Sequence, residues 1–401
     1  MPTTSDSNTG TARTGFGDAG VALRLDVASH ATAVTAVDHM LDMAIRLGAS
    51  DVHCEPDPDG LRIRFRIDGR LASVGTFPPG LRDGVITRLK VLSRLDVAER
   101  RLPQDGRFSV RLEEPPGGTC DIRASTLPTL QGEKAVLRVV VRSAVAPDFE
   151  GLGFDACSAD LFRAQLQRPW GLILVTGPTG SGKTSTLYAA LQRLATADRH
   201  IITVEDPVER ALPGVTQVAV RESIGLGFAA VLRASLRQDP DIMLVGEIRD
   251  AETAAVAMQA ALTGHLVLAT LHTTDAPGAP ARLLDMGVPP FLVAGALSVV
   301  CAQRLVRRRC RQCHPGQTQA CVSCRSTGYR GRIGLFEVMT MSDVLRTLVM
   351  QRASAQELRR QALAEGMVSL RQAGLQRVAD GVTSIEEVWR ETADDGAAKH
   401  A

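Results

Sequence analysis

The sequence predicts an α/β chain in which an open sheet of short apolar strands alternates with helices, joined to a smaller α+β domain, a tetracysteine element and a terminal helical region. Three observations carry that expectation. Four apolar runs, Leu172 to Thr176, Ile201 to Val204, Ile242 to Val245 and Leu266 to Thr270, recur with helix-length stretches between them, as strands do in an α/β sheet. The first run leads straight into Gly177-Pro178-Thr179-Gly180-Ser181-Gly182-Lys183-Thr184, a complete G-x-x-x-x-G-K-[ST] pattern that, with Ser185 after it, opens a helix-compatible stretch. Cys310-x-x-Cys313 and Cys321-x-x-Cys324 make two cysteine pairs close together in the chain.

Read in order, the 401 residues are long enough for two or three domains. Residues 1–31 are rich in Thr, Ser, Gly and Asp without periodicity and are expected to be a flexible tail. A small α+β domain is expected over 32–142. Its first helix follows from Val34, Val37, Met40, Leu41, Ala44 and Ile45, which keep helical spacing up to Gly48. Leu61 to Ile67 alternates apolar residues with arginines, and Asp68-Gly69 is a hairpin signal before Arg70. A second helix around Ile86 to Leu95, a turn at Gln104-Asp105-Gly106, and strands at 107–111, 120–125 and 135–141 complete it. Pro147, Gly151 and Gly153 mark 143–155 as a linker. The sheet domain is expected over 156–300, the tetracysteine element over 301–335 and the helical region over 336–401.

Composition excludes several classes of function. Lys and Arg total 46 against 44 Asp and Glu, so bulk electrostatic attraction to nucleic acid or a membrane surface is not expected. Aromatics are 3% of the chain, too few for stacking platforms on single strands. The longest apolar stretch, Pro290 to Ala302, is shorter than the roughly 20 residues that span a bilayer, and the polar N-terminus carries no signal pattern. A cytoplasmic protein is expected.

The chemistry concentrates at strand ends. In the loop at 177–185, glycines let backbone N–H groups face phosphate oxygens, Lys183 brings a positive charge to the β- and γ-phosphates, and the Thr184 hydroxyl completes a Mg²⁺ shell, so ATP with Mg²⁺ is the expected ligand. Glu205, Asp206 and Glu209 follow the second strand and Glu247 follows the third, at the carboxyl ends where α/β sheets bind ligands. The four cysteines suit one tetrahedral Zn²⁺ in a reducing compartment.

Several separated segments together resemble the secretion ATPases of type II secretion and type IV pilus assembly. They are Gly48 to His53, Arg66 to Gly69, Arg101 to Arg107, Val204 to Glu209, Arg237 to Asp241, Gly246 to Asp250, and Thr263-Gly264-His265 through Leu271-His272-Thr273. The resemblance runs from about residue 32 to 392. It implies a homo-hexameric ring motor with a RecA-like ATPase core and a PAS-like N-terminal domain. Glu205 to Glu209 resembles the family's Asp box, which helps hold Mg²⁺ and its waters. Gly246-Glu247 resembles its atypical Walker B, with Glu247 as general base. His265 and His272 match the His box, and Arg123 and Arg138 match arginines that close over the phosphates.

The function so implied is an ATP-driven motor, peripheral to the inner membrane through a platform protein, that assembles a pilus or pseudopilus for secretion. Two departures bear on it. Only about 30 residues precede the shared region, where many relatives carry a membrane-partner docking domain, and the spacer at 314–320 is shorter than in many relatives. The alternative within the family is a retraction motor, whose members usually lack the tetracysteine element and carry a helical motif absent here. A zinc-bearing nucleic-acid-binding ATPase is the alternative from another class, favoured by Arg307-Arg308-Arg309 but opposed by the near-neutral charge.

Overall fold

The computed structural model describes residues 32–112, 118–141, 148–313 and 321–392. The expected tail at 1–31 and the spacer at 314–320 lie outside them. The chain divides into two units, one of residues 1–143 with 309–331, the other of 144–308 with 332–401.

In the first unit, helix α1 (Ala33–Arg46) starts on a Thr32 cap, whose hydroxyl accepts from the Thr35 N–H, and buries Ala36, Val37, Met40, Leu41 and Ala44 along one stripe. Strands β1 (Ala49–Asp57), β2 (Gly60–Ile67) and β3 (Arg70–Phe77) follow. Helix α2 (Pro79–Ser93) then leads to β4 (Gln104–Leu112), β5 (Gly118–Thr129) and β6 (Gly132–Val141). The six strands form one antiparallel sheet in the order β3-β2-β1-β6-β5-β4. Strand alternation sends Val52, Cys54, Ile63, Phe65, Ile122, Ala135 and Leu137 into a core shared with α1 and α2. The charged residues between them are left on the opposite face. Asp68 (φ 49°) and Gly69 (φ 82°) both adopt the left-handed conformation that a two-residue hairpin requires.

One local expectation is corrected, and one strand is found that was not expected. Gln104 to Gly106 is not a turn but the start of β4; a Cβ on Gly106 would lie 2.4 Å from the Ser93 carbonyl oxygen, so this glycine marks the close approach of α2. Ala49 to Asp57 is a central strand, obscured in the sequence by the charges it carries on its second face.

The second unit begins with α3 (Phe149–Leu152) and α4 (Ala156–Leu166). Much of the expected linker is thus part of a core, because Phe149 and Phe154 pack edge-on and Phe154 stacks on Phe336 with centroids 3.5 Å apart. A parallel α/β succession follows: β7 (Gly171–Thr176), α5 (Lys183–Leu194), β8 (Ile201–Glu205), β9 (Thr216–Ala219), α6 (Phe228–Ser235), β10 (Ile242–Val245), α7 (Ala251–Leu262) and β11 (Leu266–Leu271). After α8 (Gly278–Asp285) and α9 (Pro290–Ala296) come β12 (Leu297–Arg309) and β13 (Tyr329–Thr340). The seven-stranded order is β13-β12-β7-β11-β10-β8-β9. Both β12 and β13 run across the boundaries expected at 300 and 335, so the sheet is larger than the four apolar runs announced and the cysteines sit between two of its strands.

Helices α10 (Asp343–Met350), α11 (Ala355–Ala364), α12 (Leu370–Ala379) and α13 (Ile385–Glu391) close the chain. Buried Glu337 on β13 accepts from the backbone N–H groups of Ala276 and Leu370, which fixes the start of α12 to the sheet. Glu387 on α13 pairs with Arg307 on β12 at 2.7 Å, so part of the arginine run at 307–309 is spent on internal packing. Among the described residues, no helix is long and apolar enough to cross a membrane.

Candidate nucleotide site

Strands β7, β11, β10 and β8 are parallel, so their carboxyl ends share one edge of the sheet. The fully buried β7 delivers the loop at 177–182 to that edge, and α5 begins at Lys183 on the left-handed Gly182 (φ 90°). A Cβ on Gly177 would stand 2.5 Å from the Gln303 carbonyl oxygen, so β12 leaves no space there for a side chain. Buried Lys183 folds back on the loop, its Nζ donating to the carbonyls of Gly177 (2.8 Å) and Pro178 (3.1 Å). Burial, and to a lesser extent the cationic Arg304 nearby, brings its amine down to about 8 against the pull of Glu247. The Ser181 hydroxyl is buried without a hydrogen-bond partner among the described residues. A buried cation and an orphaned donor inside a glycine loop fit a phosphate group. Thr184 is exposed on the first turn of α5, where its hydroxyl is available to a phosphate-bound Mg²⁺.

Glu247 follows β10 on the same edge. A hydrogen bond from Arg249, and His272 Nε2 at 3.4 Å from its Oε2, occupy its carboxylate. Although burial pushes its pKa upward, Arg249 and His272 hold it below the usual carboxylate range, so it is an ionised acceptor at neutral pH. Arg249 also stands 3.8 Å from Asp206. Gly246 is closely packed, since a Cβ there would meet the Val204 carbonyl oxygen at 3.1 Å. His272, Glu247, Arg249 and Asp206 are therefore brought together, with Glu209 half-buried three residues beyond Asp206.

Two expected members of the site are placed elsewhere. His265 precedes β11 while His272 follows it, so a strand length of roughly 20 Å separates them, and His265 Nδ1 lies 3.0 Å from the Ala260 carbonyl instead. Glu205 is turned inward: its carboxylate accepts from Thr203 (2.5 Å), Gln217 (3.1 Å) and the Tyr188 hydroxyl. As the last residue of β8, it follows the strand's alternation into the core rather than into the loop.

The arginines lie on the first unit. Arg123 and Arg138 face each other across β5 and β6, and register extends the row to Arg107 on β4, Asp51 on β1 and Arg66 on β2. Asp51 sits 3.4 Å from Arg138 and 3.7 Å from Arg66. Arg66 and Arg107 lie at the ends of family-like segments, but nothing in those segments places them in this row; the Arg alternation in Leu61 to Ile67 is legible, whereas the pairing register is not.

The sulfurs of Cys310, Cys313, Cys321 and Cys324 all lie within 4.8 Å of one another, with Cys310 to Cys321 at 4.0 Å and Cys313 to Cys324 at 3.5 Å. Thiolates about 2.3 Å from one tetrahedral zinc would be about 3.8 Å apart, so the cluster fits that ion.

The family model described as type II/IV secretion system protein matches residues 26–390. Over 393 residues the chain is 47% identical to the type IV pilus assembly ATPase PilB of Myxococcus xanthus, covering 92% of this chain and 69% of that protein. It is 43% identical over 390 residues to the type II secretion system ATPase E of Vibrio cholerae, covering 92% and 77%. Among solved structures, the pilus retraction motor PilT with bound ADP matches with a TM-score of 0.61 at 27% identity, covering 89% of this chain and 96% of that one.

Proposed function

The chain belongs to the type II/IV secretion system protein family, and on that premise we propose that it is the ATP-hydrolysing subunit of a hexameric motor that assembles a pilus or pseudopilus. The observation that carries this reading is the meeting of the phosphate loop, Glu247, His272 and Asp206 along one edge of the parallel sheet. The higher identity to the pilus assembly ATPase than to the retraction motor favours assembly, with retraction as the alternative.

In this reading Lys183, the loop amides and Ser181 bind the phosphates, and Thr184 holds Mg²⁺ with help from Asp206 and Glu209. The bound metal offsets charge that develops on the phosphate oxygens. Glu247 orients the attacking water and accepts its proton, after exchanging the hydrogen bond from Arg249 for one from that water. His272, in contact with Glu247, reports the loss of the γ-phosphate to the rest of the chain. Arg123 and Arg138 supply positive charge to the transition state. Zinc on the four cysteines stabilises its own segment, and the motor works in the cytoplasm against an inner-membrane platform protein.

The test is a chromosomal Glu247→Gln substitution in the source organism. The expected result is loss of surface filaments or of filament-dependent secretion, with normal protein levels. Unchanged filament assembly alongside abolished hydrolysis would overturn the motor assignment.

A further inference from the structure

Gln217 lies on β9, directly opposite Thr203 of β8, outside every motif that points to the nucleotide. Its single amide makes three hydrogen bonds. Oε1 accepts from the Leu212 N–H at 2.7 Å, while Nε2 donates to the Arg210 carbonyl at 3.0 Å and to Glu205 Oε1 at 3.1 Å. Only one orientation of the amide satisfies all three partners, because Leu212 offers a donor and the other two offer acceptors. The other Glu205 oxygen receives the Tyr188 hydroxyl, and the Arg210 guanidinium lies 5.5 Å from the centroid of the Tyr188 ring.

These contacts fix the loop that carries Asp206 and Glu209. At its start, Glu205 is 3% exposed and bonded entirely to neutral donors among its hydrogen-bond partners. At its end, Arg210 and Leu212 are clipped by Gln217. Tyr188 is one helical turn beyond Thr184 on α5, so its bond to Glu205 ties the helix bearing Thr184 to the strand bearing Asp206. A half-buried amide bonded through both its oxygen and its nitrogen holds its neighbours to one geometry, and breaking its bond to Glu205 would take a donor from a buried carboxylate.

We propose that Gln217 is a positioning residue for the metal of the nucleotide site, acting with Tyr188 and Glu205 to hold Asp206 and Glu209 at a set distance from Thr184. The inference rests on the reading of the loop at 206–209 as the metal-holding segment. It assigns Gln217 no contact with nucleotide or metal.

The experiment measures Mn²⁺ binding to the ATP-loaded full chain by paramagnetic resonance, together with nucleotide affinity in EDTA and the Mg²⁺ concentration for half-maximal hydrolysis. Gln217→Leu, which keeps the volume and removes the amide, is expected to weaken Mn²⁺ binding about tenfold, as loss of an outer partner of a metal ligand does. Nucleotide affinity without metal stays within about twofold, and excess Mg²⁺ restores turnover. Tyr188→Phe removes one hydroxyl and should shift Mn²⁺ binding about threefold in the same direction. Glu209→Gln separates the two readings. If Glu209→Gln weakens Mn²⁺ binding and neither Gln217→Leu nor Tyr188→Phe does, the positioning role is overturned while the metal-holding loop stands. Unchanged Mn²⁺ binding in Glu209→Gln overturns both.

Discussion

The carboxyl edge of the parallel sheet and the arginine row of the antiparallel sheet carry opposite kinds of order. At the first, Lys183 is buried against the carbonyls of its own loop, and Gly177 is fixed by the close approach of β12. Along the second, Arg138 keeps about half of its side chain exposed and is held by a shared, loosely spaced Asp51. Such surface pairs contribute little to stability, so an arginine of this row is readily given up to a stronger anion. The difference separates binding from turnover in the proposed reading: the parallel sheet would hold the nucleotide, and the arginines would act in the chemical step.

The sharpest test of that division is at the parallel edge itself. Glu247→Gln should lower kcat by about two orders of magnitude or more while leaving ATP affinity near normal, whereas Lys183→Ala should lose affinity, both measured by a coupled hydrolysis assay with fluorescent-nucleotide binding. Near-normal hydrolysis by Glu247→Gln would remove it as the base. The arginine row provides the reciprocal case. Arg123→Ala and Arg138→Ala should each reduce kcat at least about tenfold with nucleotide Kd unchanged, and a rise in Kd without a fall in kcat would break the comparison.

Protonation sharpens it further. Burial brings the Lys183 amine down to about 8, and a phosphate beside it raises that value, so affinity should be level below about pH 7 and fall as the free amine deprotonates. At pH 9 metal-free nucleotide should bind about tenfold more weakly than at pH 7. Arginines do not titrate in this range, so a flat profile would shift the binding charge away from Lys183. The smallest effect on nucleotide is expected at the cysteines. One zinc per chain should be found by metal analysis, and Cys310→Ser with Cys313→Ser should expose the segment near 310–324 to protease while nucleotide Kd stays within about twofold. Absence of zinc, or unchanged protease resistance, would sink its structural role.

What the sequence made legible follows the range of the interactions involved. The four core strands, α1 and the Asp68-Gly69 turn depend on apolar period and local turn chemistry, so each could be read from a few neighbouring residues. The phosphate loop is equally local. Strands β1, β12 and β13 escaped because charges interrupt β1, and because β12 follows directly on α9 within one apolar stretch at 290–302. Non-local pairing hid the rest. That Glu205 points inward to Tyr188 and Gln217, or that Arg66 and Arg107 line up with Arg123 and Arg138, depends on strand register, which a motif does not encode. His265 and His272 are near in sequence, yet a strand between them sets them at opposite ends of the sheet.

One feature of connectivity bears on how this protein could be dissected. The segment at 309–331 belongs to the first unit, where the Gly331 N–H donates to Asp68 Oδ2 at 2.9 Å, although its flanking sequence belongs to the second. The backbone therefore passes between the units three times. After a single protease cut in 142–147, the C-terminal fragment would still carry 309–331, which packs with the N-terminal one, and a gene truncated at residue 145 would express the cysteine knuckles stripped of the hairpin they dock on. Separating the units cleanly calls for a short bridge replacing 310–330 as well as the N-terminal deletion. A loss of activity after the N-terminal deletion alone would mix the missing arginines with an unseated cysteine knuckle.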